Sequence, residues 1–104
     1  MDRDSLLQRI KSLLARAFGE RLCGIVLYGS EARGSARADS DIDILVLLKG
    51  PIRLGEDITT TTHAIYPLML EIDRIIDATP ADIRHFEGGA APLYRNAKRE
   101  GILA

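Results

Sequence analysis

The sequence predicts an α+β fold, with some α/β character, in which helices flank a small mixed β-sheet. Two observations carry this prediction. Apolar residues recur with helical spacing in the first 18 residues, and short apolar runs that suit buried strands follow at residues 22–28 and 41–48. One further short run lies between helical patterns in the second half. The resulting order is helix, strand, strand, helix, strand, helix, helix.

The opening segment is predicted to be an amphipathic helix. Ser5 and Gln8 have the spacing of a capping box, and Gly19 is suited to end the helix. Seven apolar residues fall on one helical face, which we expect to be buried: Leu6, Leu7, Ile10, Leu13, Leu14, Ala17 and Phe18.

Two buried strands joined by a polar loop are predicted next. Residues 22–28 form a mostly apolar run that ends at Gly29-Ser30. Residues 29–40 are rich in Gly, Ser, Ala and charge, which predicts a loop with a helical turn near residues 31–33. A second strand is predicted over residues 41–48 and is stopped by Gly50-Pro51.

The segment at residues 58–72 predicts a helix that is kinked or interrupted. Five apolar residues fit one helical face: Ile58, Ile65, Leu68, Met69 and Ile72. Pro67 lies inside this pattern, and an interior proline costs a helix roughly 3 kcal/mol. Four threonines, which are poor helix formers, precede it. We therefore expect a kinked or interrupted helix.

The last third predicts one strand and two helices. Residues 73–79 are the third strand candidate, and Thr79-Pro80 suits the N-cap and first position of a short helix that ends at Gly88-Gly89. Pro92 is expected to begin the last helix, and Gly101 to end it.

Composition excludes several classes of protein. The chain has 104 residues, a formal net charge of −1, and 46% hydrophobic residues, a content too high for a disordered protein. One cysteine, Cys23, cannot form an internal disulfide, and we expect it to be a buried, unreactive strand residue. No segment approaches the about 20 apolar residues of a membrane span, and the first residues do not resemble a signal peptide. A single cytoplasmic domain over residues 1–104, with no membrane association, is the expectation.

The first group of candidate site residues is a pair of carboxylates. Asp41 and Asp43 stand at i and i+2 on a predicted strand, so they face the same way with Cα atoms about 6–7 Å apart. Two such carboxylates need a neutralising cation, and Mg²⁺ is commonly held by one or two carboxylates together with substrate phosphates. The pair therefore predicts a magnesium site that faces a triphosphate.

The second group lies at the end of the first predicted strand. Gly29 permits a tight turn and close approach of a phosphate, and the Ser30 hydroxyl can donate a hydrogen bond. A short helix beginning near Ser30 would add free N–H groups, and Arg33 could reach a phosphate oxygen.

Three other motifs fit this stretch less well. A Walker A loop would need lysine where Ser35 stands, and a GxGxxG loop would need glycine at Glu31. A calcium-binding EF loop starting at Asp39 would need glycine at Ile44 and an acid at Gly50.

The stretch resembles the DNA polymerase beta-type nucleotidyltransferase superfamily, and in particular its minimal, stand-alone members. The resemblance rests on Gly29-Ser30, the triplet Ala32-Arg33-Gly34 and Ser40-Asp41-Ile42-Asp43. It implies a short mixed sheet flanked by helices, and transfer of a nucleoside monophosphate such as AMP from ATP or another nucleoside triphosphate to a hydroxyl acceptor. Asp41 and Asp43 would bind Mg²⁺, in a two-metal site, and Gly29, Ser30 and Arg33 would bind the nucleotide.

The resemblance also implies a third carboxylate on a neighbouring strand, which would complete the metal site and activate the acceptor. Asp77 fits this role better than Asp73, which stands at the start of the predicted strand, although some minimal members lack this acid.

Two functions follow from the resemblance. Minimal members often pair with a helical HEPN-type toxin, and the first hypothesis is an antitoxin that transfers AMP to a tyrosine of that partner. The alternative is a non-catalytic antitoxin that neutralises the partner by contact. A nucleic-acid end-modifying enzyme is disfavoured because the near-neutral charge does not suit direct nucleic-acid binding. The acceptor and the homo- or hetero-oligomeric state stay open.

Overall fold

The sheet is mixed, as the sequence predicts for the fold class, and it has four strands rather than the expected three. The computed structural model describes residues 1–104, and its strand order is β3-β2-β1-β4. β1 pairs antiparallel with both β2 and β4, and β2 pairs parallel with β3. In chain order the elements are α1 (Arg3–Phe18), β1 (Leu22–Tyr28), α2 (Ser30–Arg33), β2 (Ile42–Leu48), α3 (Leu54–Ile72), β3 (Ile76–Asp82), α4 (Ile83–Glu87), α5 (Pro92–Glu100) and β4 (Ile102–Leu103).

The central strand β2 separates two apolar layers. Side chains alternate along a strand, so Ile42, Ile44 and Val46 belong to the larger core, with buried residues of α1 and α3. Leu45 and Leu47 belong to a smaller core on the opposite face, with residues of α4 and α5. Because β2 is covered on both faces, it is buried along nearly its whole length.

Helix α1 buries the face that the sequence predicts but begins earlier. Its N-cap is Asp2, whose side chain accepts a hydrogen bond from the Ser5 backbone N–H at 2.8 Å. The expected capping box on Ser5 is therefore wrong, because Asp2 satisfies that N–H first. Leu7, Ile10 and Leu14 are the fully buried residues of this helix.

Helix α3 is one uninterrupted helix of 19 residues that passes through Pro67. Of the expected kink or interruption, the interruption is wrong, because tertiary packing outweighs the local cost of proline. Ile65 and Leu68, on either side of Pro67, are each 1% exposed, and Pro67 itself faces outward. The helix ends at Asp73, which adopts a left-handed conformation with φ 55°.

Strand β3 lies three residues later than expected. Thr79-Pro80 lies inside the strand, where Pro80 pairs with Val46, and does not begin a helix. Proline is tolerated because β3 is an edge strand, which forms a ladder on one side only. The N-cap of α4 is instead Asp82, whose carboxylate accepts from the Arg84 N–H at 2.9 Å.

Helix α5 begins at Pro92 and ends before Gly101, as predicted, but the short strand after it was not predicted. A Cβ on Gly101 would collide with Ala97, Val26 and the Leu27 backbone, so only glycine lets the chain approach β1 this closely. Two residues of β4 then pair with β1.

Cys23 is exposed, which corrects the expectation that it is buried. The register between β1 and β2 shifts between Leu22 and Gly24, so the ladder has no partner for Cys23. Such an irregularity re-aims the side chain of the extra residue.

None of the helices combines the length and the apolar character that crossing a lipid bilayer requires.

Candidate active site

Three neighbouring strands bring a tyrosine and two carboxylates into one row. Tyr28 on β1 pairs with Asp43 on β2, and Asp43 pairs with Asp77 on β3. Residues paired across a sheet present their side chains on the same face, and adjacent strands lie about 4.8 Å apart. The sheet therefore places Asp77 directly beside Asp43, although 33 residues separate them in the chain.

Asp43 is half-buried, and its surroundings favour the protonated form of its carboxyl group. Burial raises the pKa of its carboxyl, the charges of Asp77 and then Asp41 raise it further, and Arg33 opposes them. Burial likewise raises the pKa of the Tyr28 phenol, with smaller contributions from Asp43 and Asp77. The carboxylates of Asp41, Asp43 and Asp77 therefore share one negatively charged region.

Gly29 lies against Asp43 in a conformation that suits only glycine. Its φ of 74° and ψ of −153° fall in a region that residues with a side chain almost never adopt. A Cβ at this position would collide with the Asp43 carboxylate oxygen and would lie 3.3 Å from its Cγ. The turn after β1 thus brings the backbone of Gly29 into contact with the carboxylate on β2.

Ser30 begins helix α2, so the helical turn expected in the loop is present. The turn is closed by hydrogen bonds from the Arg33 N–H to the Gly29 carbonyl at 3.1 Å and from the Ser35 N–H to the Ser30 carbonyl at 2.9 Å. Arg33 is 53% exposed, and its Nη1 lies 3.9 Å from the Glu100 carboxylate of α5. Its charge also acts on Asp43, so the guanidinium stands between the site and the last helix.

Asp41 and Asp77 are exposed and line one groove between α3 and β3. The groove has a volume of about 430 Å³, and its walls include Ile58, Met69 and Ile75. Asp41 lies just before β2 rather than within it.

Asp73, the alternative third acid, does not belong to β3. It forms the C-cap of α3 and lines a separate depression with Asp39 and Asp41. The expectation that Asp73 stands at the start of the third strand is therefore wrong, because the strand starts at Ile76.

The donor set fits a hard cation only in part. Carboxylate oxygens are the ligands that Mg²⁺ prefers, and Asp43 lacks a direct cationic partner. However, no three or more carboxylate, imidazole or thiolate side chains are gathered closely enough to hold a metal ion. Asp41 and Asp43 are thus the candidate pair, and Asp77 is a neighbour of that pair rather than a member of a preformed three-acid centre.

Two charged residues near the site were not predicted. Arg74 forms an ion pair with Glu31 of α2, and its Nη2 also donates to the Ser40 carbonyl at 2.7 Å. These partners lie more than 30 residues from Arg74 in the chain. No local pattern links them, so the sequence alone could not associate Arg74 with the site.

Comparison with known proteins places the chain in a family. The family model described as Polymerase beta, Nucleotidyltransferase matches residues 8–103. A solved toxin–antitoxin structure with AMP-PNP superposes on 93% of this chain and 70% of its own, with 23% identity and a TM-score of 0.67. A candidate minimal nucleotidyltransferase superposes on 98% of this chain and 95% of its own, with 28% identity and a TM-score of 0.56.

A similarity in sequence covers less than half of the chain. The chain is 46% identical over 46 residues to a candidate protein adenylyltransferase, MJ1305, of Methanocaldococcus jannaschii. The aligned part is 44% of this chain and 29% of that protein, so the chain spans less than a third of this relative's length.

Proposed function

Because this chain belongs to the polymerase beta nucleotidyltransferase family, we propose that it transfers AMP from ATP to a hydroxyl group of a partner protein and releases pyrophosphate. The observation that carries the proposal is the contact of Gly29 with Asp43, beside Asp77 on the next strand. This contact joins the turn that would hold phosphates to the carboxylates that would hold their cation. The solved neighbour with AMP-PNP and the adenylyltransferase relative support ATP as the nucleotide.

Each part of the site has a task in this proposal. Asp41 and Asp43 bind Mg²⁺, which neutralises the charge of the triphosphate when bound. Gly29 lets the β and γ phosphates approach the backbone, and Ser30 donates hydrogen bonds to them. Arg33, half-exposed beside Asp43, can turn from Glu100 toward a phosphate oxygen. Asp77 accepts the proton of the acceptor hydroxyl, because it is exposed at the groove where an acceptor can enter.

The role of Asp77 is tested by comparing Asp77→Ala with Asp73→Ala, a matched control four residues earlier in the chain. Removing a general base lowers a rate by roughly 10²–10⁴, so we expect Asp77→Ala to lose that much AMP transfer. Asp73→Ala removes the same group from the cap of α3 and should change the rate less than about threefold. Equal rates in the Asp77 variant and the unmodified protein would remove Asp77 from the mechanism.

We propose that the acceptor is a tyrosine of a helical, HEPN-type toxin, and that the modification neutralises it in the cytoplasm. The solved toxin–antitoxin structure among the structural neighbours supports an antitoxin role. The test is incubation with labelled ATP, Mg²⁺ and the protein encoded beside this chain, followed by mass measurement. A gain of one or more AMP units on a tyrosine is expected.

The second candidate is an antitoxin that binds its partner without catalysis. It is favoured by the absence of three gathered acids in the site. A tight complex that gains no AMP mass in the same incubation would establish this function and exclude the enzymatic one.

A further inference from the structure

We infer that Arg74 is a positioning residue that fixes the phosphate-binding turn and the carboxylate loop relative to each other. The inference rests on the proposed function and adds to it a residue that is outside the family signature. Arg74 lies between α3 and β3, away from the Gly-Ser turn and the Asp41–Asp43 segment in sequence. It reaches both of them in space.

The first contact holds the turn. The Arg74 Nη2 forms an ion pair with Glu31, the residue after Ser30 in helix α2. The side chains of Arg74 and Glu31 are only 21% and 20% exposed, so this pair is screened by water less than a surface pair. α2 has four residues and cannot be stable by its own hydrogen bonds. Its orientation therefore depends on side-chain contacts such as this one.

The second contact holds the loop that carries Asp41. The same Nη2 donates to the Ser40 carbonyl at 2.7 Å, directly before Asp41. On the other side of Asp41, the Ile42 N–H donates to the Ile75 carbonyl at 2.9 Å. Residues 74–75 thus bind the backbone on both sides of Asp41. Because the same Arg74 nitrogen contacts Glu31 and the Ser40 carbonyl, it links this loop to α2.

Charge-assisted hydrogen bonds of this kind are stronger than neutral ones. Losing them would free residues 35–41, which contain no helix or strand. The spacing between Ser30 and Asp41 would then vary, and the two groups would no longer meet one triphosphate in a fixed geometry. Nucleotide binding should weaken even where the rest of the fold stays intact.

The test compares three variants of the full chain. Arg74→Gln removes the charge, whereas Arg74→Lys keeps a charged nitrogen, and both contacts come from one nitrogen. Arg9→Gln is the matched control, because Arg9 pairs with Glu71 at 3.1 Å between α1 and α3 and touches neither the turn nor the loop. For each variant, amide hydrogen exchange over residues 35–41 and the Kd for ATP with Mg²⁺ are measured, with circular dichroism to confirm folding.

We expect Arg74→Gln to speed exchange in residues 35–41 and to raise the Kd about tenfold or more. Arg74→Lys should recover most of the affinity, and Arg9→Gln should leave both readouts unchanged. A folded Arg74→Gln protein with unaltered exchange and a Kd within about twofold of the unmodified protein overturns the inference. If the unmodified protein does not bind ATP with Mg²⁺, the proposed function fails, and exchange in residues 35–41 alone then decides whether Arg74 holds the loop.

Discussion

Gly29 combines a backbone conformation that favours glycine with a close contact to the carboxylate of Asp43. Its positive φ lets the chain leave β1 and enter α2 without a side chain, and its lack of a Cβ leaves room for the Asp43 carboxylate. A glycine at a turn needs only the first property. The second ties this position to the candidate active site.

Gly29→Ala is expected to abolish ATP binding, because the new methyl group would displace the Asp43 carboxylate. Backbone strain of this kind also costs about 1–3 kcal/mol of stability. The control is Gly19→Ala, since Gly19 has φ 58° and nothing within 4 Å of its Cβ position. Calorimetry should show no detectable ATP binding for Gly29→Ala and normal binding for Gly19→Ala. Equal binding by both would mean that contact with Asp43 is not needed.

The environment of Asp43 predicts how binding depends on pH. Its pKa is raised by burial and by Asp77 and Asp41, and a protonated carboxyl cannot hold a cation. Mg²⁺-dependent ATP binding should therefore weaken as pH falls through this raised pKa, at a pH above the ordinary aspartate value of 3.8. Titration calorimetry between about pH 4 and 7 measures this. Binding that stays constant until the ordinary aspartate value is reached would contradict the prediction.

The raised pKa of Asp43 also changes the free energy of unfolding. A charged Asp43 opposes folding at neutral pH, and this penalty shrinks as pH falls through the raised pKa. Asp43→Asn should thus be at least as stable as the unmodified protein at pH 7.

Among the elements, α3 shows most clearly how packing overrides local preference. Pro67 and the threonines at residues 59–62 predict a kink or an interruption, yet the helix is uninterrupted, with Thr61, Ile65 and Leu68 buried along one face. Pro67 lies on the exposed side, where its missing N–H and its ring cost stability without disturbing the core.

Pro67→Ala is expected to raise the free energy of unfolding by about 1–2 kcal/mol. Alanine restores the helical hydrogen bond and removes the clash of the proline ring, and both effects stabilise the folded protein. Part of this gain is offset because the unfolded chain has more conformational freedom without proline. His63→Ala, at another exposed position of α3, should change stability by less than about 0.7 kcal/mol. Urea denaturation compares the two. A Pro67→Ala protein that is less stable would show that the proline contributes to packing.

A bidentate ion pair joins the start of α3 to the turn before β1. Arg21 donates to the two Asp57 oxygens at 2.9 and 3.0 Å, and the Arg53 N–H donates to Asp57 at 2.9 Å. Asp57 is 3% exposed, and the hydrogen bonds from Arg21 hold the pKa of its carboxyl below the usual range.

Asp57→Asn should lower the free energy of unfolding by about 1–3 kcal/mol at pH 7. The loss is moderate because Arg21 is partly exposed, so water screens the ion pair. In the unmodified protein this stabilisation is fully present above the ordinary aspartate pKa of 3.8 and is lost as pH falls through the lowered value. Urea denaturation across that range checks both statements. Equal stability of the two proteins at pH 7 would contradict the first.

At the scale of the molecule, the sequence predicts what depends on local pattern. The alternation of β2, the Gly29-Ser30 turn and the Asp41–Asp43 spacing all lie within residues 29–48, and fold class and family follow from them. The extent of β3, the existence of β4 and the contacts of Arg74 depend on pairing between distant segments. Periodicity cannot detect such pairing. The family resemblance predicts Asp77 as the third carboxylate, but only the register of the sheet shows that it lies directly beside Asp43.

The central claim is that the carboxylates beside the Gly-Ser turn hold the cation of a bound nucleoside triphosphate. The most direct measurement is titration calorimetry of ATP, with and without Mg²⁺, into the unmodified protein and into Asp41→Asn with Asp43→Asn. The account predicts Mg²⁺-dependent binding that is lost in the folded double variant. Undiminished Mg²⁺-dependent binding by that variant would contradict it.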